Sequence, residues 1–203
     1  MGVPERYGSM NDLTEHVRVH SVEVLSDDWY LLKKTTFDFL RSDGTWQRQS
    51  RETYDRGNGA TILLYNLARR TVILTRQFRY PAFVNGHKGL LIETPAGLLD
   101  ERSPEEAIRK ETAEETGYVI QRVMKVFEAF MSPGSVTEKL HFFIAEYDSN
   151  AKLEAGGGLL SDGEDIETFE LNIDAAMEKI SFGEIRDGKT IMLLQYAKLH
   201  LFG

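Results

Sequence analysis

The stretch AIRKETAEETGY, Ala107 to Tyr118, ends in three glutamates: Glu111, Glu114 and Glu115. At about 100° per residue they share one arc of roughly 100° on a helix. That position is unfavourable. Negative charge at a helix C-terminus opposes the macrodipole, and Glu111 with Glu115 is a like-charge i,i+4 pair. A solvated acidic face is the plainer reading of a charge cluster. A divalent cation accounts for the position as well as the clustering, because it removes both penalties. Mg²⁺ takes a few carboxylates and completes its shell with water and substrate phosphates.

The elements around these acids have clear signals. Ser103 followed by Glu106 is a capping box, Pro104 suits the first helical position, and Gly117 closes the helix. Glu93 ends a short strand, and Pro95-Ala96-Gly97 reads as a turn whose carbonyls could face the helical glutamates. On this reading Arg109 and Lys110 point away from the acids. Before the helix, alternating segments predict strands at His16–Leu25, Trp29–Leu40 and Trp46–Tyr54. Apolar runs at Ala60–Leu67 and Thr71–Thr75 predict buried strands. After it, strands are expected at Val119–Phe130, Lys139–Tyr147 and Ile166–Leu171, with helices at Asp174–Ile180 and Lys189–Leu201. His141, beside Phe142 and Phe143, reads as a core or edge residue. Ala155 to Asp165 is a Gly-rich acidic loop, where Glu164 could close over a substrate. The sum is α+β, without the strict alternation of a doubly wound fold.

The chain has 203 residues, 41% hydrophobic and 28% charged, and no cysteine. Disulfide, thiol and zinc–thiolate chemistry are excluded. A net charge of −8 argues against nucleic acid and anionic membrane as partners. No apolar run approaches the roughly eighteen residues of a membrane span. The first residues lack the apolar core of a secretory signal, so the expected location is cytoplasmic.

The string GLLDERSPEEAIRKETAEETGY resembles the Nudix box. Its second half, Lys110 to Tyr118, follows the family pattern closely, with Lys110 in place of arginine. In its first half Ser103 stands where a glutamate is usual, and one residue fewer separates Gly97 from Lys110. The strings YDRGNGATILLYN, RQFRYPAFVNG, MSPGSVTEKLHFFIAEY, GEDIE and GEIRDGKT extend the similarity to nearly the whole chain. They resemble the Nudix branch acting on GDP-mannose, a sister of the ADP-ribose pyrophosphatases.

This resemblance implies a Nudix fold. Mixed β-sheets would pack with helices in an α/β/α sandwich, behind an N-terminal antiparallel extension. The implied domains are 1–55, an arm and β-hairpin for dimerisation with possible strand exchange, and 56–203, the hydrolase domain. The implied reaction is Mg²⁺-dependent cleavage of a nucleoside diphosphate sugar, with two or three ions and Mn²⁺ as a substitute. ADP-ribose as substrate, or a nucleotide-binding domain without catalysis, are the alternatives. The implied metal ligands are Ala96, Glu111, Glu115 and Glu164. Glu164 is the first candidate for general base, and Glu114 and Glu115 join it as catalytic candidates. Tyr30, Arg51, Glu52, Arg79, Ala96, Gly97, Glu138 and Lys189 are the implied substrate contacts, with Arg79 and Lys189 toward phosphate or sugar. A homodimer is the implied assembly.

Overall fold

The computed structural model describes residues 12–148, 156–158 and 163–203. Most of the expected N-terminal arm and part of the Gly-rich loop therefore lie outside the described residues. The contacts divide the chain into two units.

The first unit comprises the described residues through Arg56 together with Phe130–Glu138. Its sheet is antiparallel in the order β1 (Val17–Asp27), β2 (Leu31–Leu40), β3 (Trp46–Asp55). The β2–β3 turn is built as its residues dictate. Gly44 takes a left-handed φ of 81°, and Asp43 accepts from the Thr45 amide at 3.0 Å. One face of the sheet carries a polar clamp across all three strands. Asp38 on β2 accepts from Arg48 on β3 and lies 2.7 Å from His20 on β1. Hydrogen bonds from Arg48, then His20, bring its pKa down to about 2. The later segment pairs with β3: the Tyr54 amide donates to the Ser135 carbonyl at 2.8 Å, and Thr137 donates back at 3.1 Å.

The second unit comprises Gly57–Ala129 and Lys139–Gly203. Its sheet runs β10 (Glu167–Asn172), β5 (Thr71–Gln77), β4 (Gly59–Asn66), β9 (Lys139–Glu146), β8 (Met124–Phe130). Two short strands join it: β6 (Leu91–Glu93) beside β5 and β7 (Ala96–Leu98) beside β4. β4 is parallel to β9 and antiparallel to β5, so the sheet is mixed. Among the described residues there are four α-helices: α1 (Tyr80–Val84), α2 (Pro104–Thr116), α3 (Ile173–Ser181) and α4 (Gly188–His200). None is long and apolar enough to cross a membrane.

β4 is buried on both faces, which is why Ala60 to Leu64 has no polar alternation apart from Thr61. Ile62 and Leu64 join Ile108 of α2 with Ile73, Phe143 and Tyr147 in one cluster. α4 packs on β4 and β6, with Leu193, Leu194 and Ala197 fully buried. Burying a side chain of this size contributes about 1.5–3 kcal/mol. This core fixes the strand ends and the helix that carry the acids.

Two expectations need correction. Pro95-Ala96-Gly97 is not simply a turn, since Ala96 and Gly97 belong to β7 and pair with Thr61 and Ala60. The strand expected from Val119 starts at Met124. Ile120 is instead buried in the core, with Val123 packed against it, so their apolarity serves packing without a ladder. RQFRYPAFV contains α1, with Arg79 as its N-cap. His141 is buried on β9, its Nδ1 3.4 Å from Glu128.

Candidate active site

Helix α2 starts and stops as its sequence requires. Ser103 Oγ accepts from the Glu106 amide at 3.4 Å, and the Ser103 amide donates to Glu106 Oε2 at 3.1 Å. Gly117 ends the helix at a φ of 77°. The other end of the acid problem has a structural answer. The amides of Gly157 and Gly158 donate to the last carbonyls of α2, Glu115 O at 2.9 Å and Glu114 O at 3.1 Å. Thr168 Oγ1 also donates to Glu115 O, at 2.9 Å. Carbonyls left over at a helix end are thereby satisfied. A side chain at Gly156 would meet the Thr116 and Glu115 backbones at 2.6 and 2.7 Å, so the loop must be glycine to dock there.

The same docking brings Glu164 toward the helical acids. Glu115 is 2% exposed, and its Oε2 is buried with no hydrogen-bond partner among the described residues. Burial, then the charges of Glu111 and Glu164, push its carboxyl well above the usual range, against an opposing pull from Arg79. Glu111 is raised too, by burial first, with Lys110 opposing and Glu114 and Glu164 adding. Its carboxylate lies against β7: a Cβ on Gly97 would sit 2.3 Å from Glu111 Cδ. Glycine is required there because the acid occupies the space.

Such an arrangement is unfavourable without a counter-charge. Among the described residues no three His, Cys, Asp or Glu side chains converge closely enough to hold an ion alone. The donors nevertheless suit a hard cation. They are carboxylate oxygens, one of them buried and unsatisfied, and Mg²⁺ needs few protein ligands when water and phosphate supply the rest.

The remaining candidates fall in different places. Lys110 does not point away: its Nζ is 2.5 Å from Glu114 Oε2 and 3.8 Å from Glu111 Oε1. Arg79 Nε donates to Glu93 Oε2 at 2.9 Å. Lys189 Nζ lies 2.6 Å from Glu93 Oε1 and 3.0 Å from Asp187 Oδ2, so its anions are internal. Tyr30, Arg51, Glu52 and Glu138 belong to the first unit. Tyr30 packs edge-on against Tyr54 at 5.8 Å, with the Arg56 guanidinium 5.8 Å from its ring. Arg51 and Glu52 line a cavity of about 700 Å³ with Phe37, Thr53, Phe130 and Ser135. Glu138 is 3.7 Å from Arg56.

Sequence reasoning missed Asp187 and left Glu93 without a role. Asp187 had a local signal, since it caps α4 by accepting from the Thr190 amide at 3.0 Å, an Asp-x-x-Thr spacing. Glu93 had only its place at a strand end. The Gly-rich loop was legible as a loop, but not as the cap of α2.

A mixed sheet with a capped helix that gathers carboxylates against a glycine strand defines the Nudix class of hydrolases. The chain belongs to the Nudix family: residues 55–192 match the model of the NUDIX domain. Residues 16–54 match the model described as the GDP-mannose pyrophosphatase NudK N-terminal domain. Similar curated proteins carry the name GDP-mannose pyrophosphatase. That of Pectobacterium atrosepticum is 57% identical over 176 residues, covering 86% of this chain and 90% of the relative. Those of Shigella dysenteriae serotype 1 and Escherichia coli O157:H7 are each 53% identical over 188 residues, covering 92% of this chain and 97% of the relative. Nudix hydrolases generally use a divalent metal, usually Mg²⁺.

Proposed function

We propose that this chain hydrolyses the pyrophosphate bond of GDP-mannose, giving GMP and mannose 1-phosphate. The observation that carries the reading is Glu115, a buried carboxylate with an unsatisfied oxygen beside Glu111, in a chain over half identical to GDP-mannose pyrophosphatases. Glu111 and Glu115, with the Ala96 carbonyl and Glu164, would hold two or three Mg²⁺ ions, for which Mn²⁺ can substitute. Bound Mg²⁺ neutralises the diphosphate and makes water a better nucleophile.

The chain's own groups do the rest. Glu164 orients the attacking water and takes its proton. The new P–O bond forms to that water, and the bridging P–O bond breaks with its electrons on the departing phosphate. Glu114, paired with Lys110, adds to the negative field. Arg79 donates to phosphate oxygens, for which its planar guanidinium is suited. Tyr30, Arg51, Glu52 and Glu138 recognise base and sugar, and Gly97 keeps β7 close to Glu111. The assembly is a homodimer, built on the first unit's sheet, and the location is cytoplasmic.

A substrate panel tests the reading. GDP-mannose, GDP-glucose, ADP-ribose and NADH are each incubated with Mg²⁺, and the released monophosphate is quantified. GDP-mannose should give GMP fastest. Comparable turnover of all four would leave the reaction class and sink the substrate. Release of AMP from ADP-ribose alone would transfer the assignment there.

A further inference from the structure

Glu93 ends β6 and is 3% exposed. Its two oxygens serve two cations, Arg79 Nε on Oε2 at 2.9 Å and Lys189 Nζ on Oε1 at 2.6 Å. The lysine is held in turn by Asp187, 3.0 Å away. Asp187 Oδ2 accepts from the Thr190 hydroxyl at 2.6 Å, and Thr190 Oγ1 accepts from the Thr94 amide at 2.7 Å. Thr94 follows Glu93, so the circuit closes on itself. It ties the end of β6 to the N-terminus of α4. Thr94 and Thr190 are almost wholly buried, and so is their neighbour Thr61, which lies 2.9 Å from the Thr94 hydroxyl.

A buried ion pair is weak evidence for stability, because apolar residues often serve as well. The circuit has another outcome. Arg79 is its one open member, with a side chain 41% exposed, against 4% for Glu93 and 12% for Lys189. Only its Nε is committed; the terminal nitrogens have no hydrogen-bond partner among the described residues. Fixing Nε fixes the plane and direction of the guanidinium and leaves its outer edge for a bidentate anion. The same β6–β7 segment continues to Gly97, against Glu111. One braced piece of chain therefore governs both an exposed cation and a helical acid.

We propose that Glu93 is a positioning residue that aims Arg79 at the substrate's diphosphate, with Lys189 and Asp187 anchoring it to α4. The proposal rests on the reading of Arg79 as a phosphate donor, and it gives Lys189 a bracing role through Glu93 and Asp187.

The test is a double-variant cycle on binding of inorganic pyrophosphate, measured by calorimetry in EDTA. Glu93→Gln and Arg79→Lys should each weaken binding by about tenfold or more, the scale of a lost charge-assisted hydrogen bond. The double variant should be no weaker than Arg79→Lys alone. Glu93→Asp keeps the charge but shortens the reach. It should keep the melting midpoint and still lose affinity, and it carries the cycle if Glu93→Gln does not fold. Losses that multiply in the double variant overturn the proposal. So does wild-type affinity in Glu93→Asp, or failure of the unaltered protein to bind pyrophosphate. GDP-mannose turnover of the unaltered protein is measured in parallel. Missing turnover with an intact cycle would sink the substrate assignment and leave Glu93 in this role.

Discussion

Glu115 is a buried carboxyl whose Oε2 has no hydrogen-bond partner among the described residues, and this makes its replacement informative. Glu115→Gln keeps the shape and removes the charge that burial and Glu111 disfavour. In EDTA the variant should melt at the same temperature as the unaltered protein or slightly above it. Mg²⁺ should raise the midpoint of the unaltered protein by binding only the folded state. The variant should lose that rise, together with at least the roughly 10–100-fold in metal affinity or activity that even outer-shell partners cost. An undiminished Mg²⁺ shift would mean that Glu115 is not a metal ligand. The acids themselves were legible because their cost is local: position in the helix and i,i+4 spacing are both written in sequence. The i,i+4 spacing of Lys110 and Glu114 was equally legible, and the reading that turned Lys110 away overlooked it. The pairings of Arg79 and Lys189 with Glu93 were not legible, because they join residues distant in sequence that only the fold brings together.

Elements α2 and the glycine loop act as one part. The helix gives its last carbonyls to the amides of Gly157 and Gly158, and the loop in return brings Glu164 toward the acids. Gly156→Ala tests this coupling. Gly156 has a φ of +70°, and an added Cβ would lie 2.6 Å from the Thr116 carbonyl carbon. The left-handed conformation alone should cost about 1–2 kcal/mol, read as a lower urea midpoint. Turnover should fall more than stability explains, since the displaced loop carries Glu164. A variant with unchanged turnover would place the water-activating group elsewhere. The contrast shows what an element's sequence reveals. The capping box of α2 and the antiparallel pairing of β1, β2 and β3 follow from near neighbours, and both were readable. β7 is too short to carry a pattern, and it exists because β4 offers it a partner edge. The Val119 segment misled for the opposite reason, since apolar residues that fill a core need no strand.

At the scale of the whole molecule, the proposed homodimer rests on the first unit's sheet. All of β1 is exposed. Strict alternation would divide its valines between the faces, but a register shift between Val19 and Ser21 intervenes. Val17, Val19, Val22 and Val24 thereby face the same way as Phe39, Phe37, Thr35 and Lys33 of β2. The bulge keeps the four valines on one face, opposite the Asp38–Arg48 clamp. Val19 and Val22 are 59% and 56% exposed there, and exposed valines grouped on one face suit an interaction site. The proposed occupant is a second copy. The unaltered protein should sediment as a dimer, and Val19→Lys with Val22→Lys should sediment as a monomer with unchanged far-UV circular dichroism. A monomeric unaltered protein would remove the homodimer from the proposed function. Because Tyr30, Arg51 and Glu52 belong to this unit, dimerisation and catalysis should also be linked. Specific activity on GDP-mannose should fall on dilution in step with the dimer fraction. Activity constant across the dissociation range would separate dimerisation from catalysis.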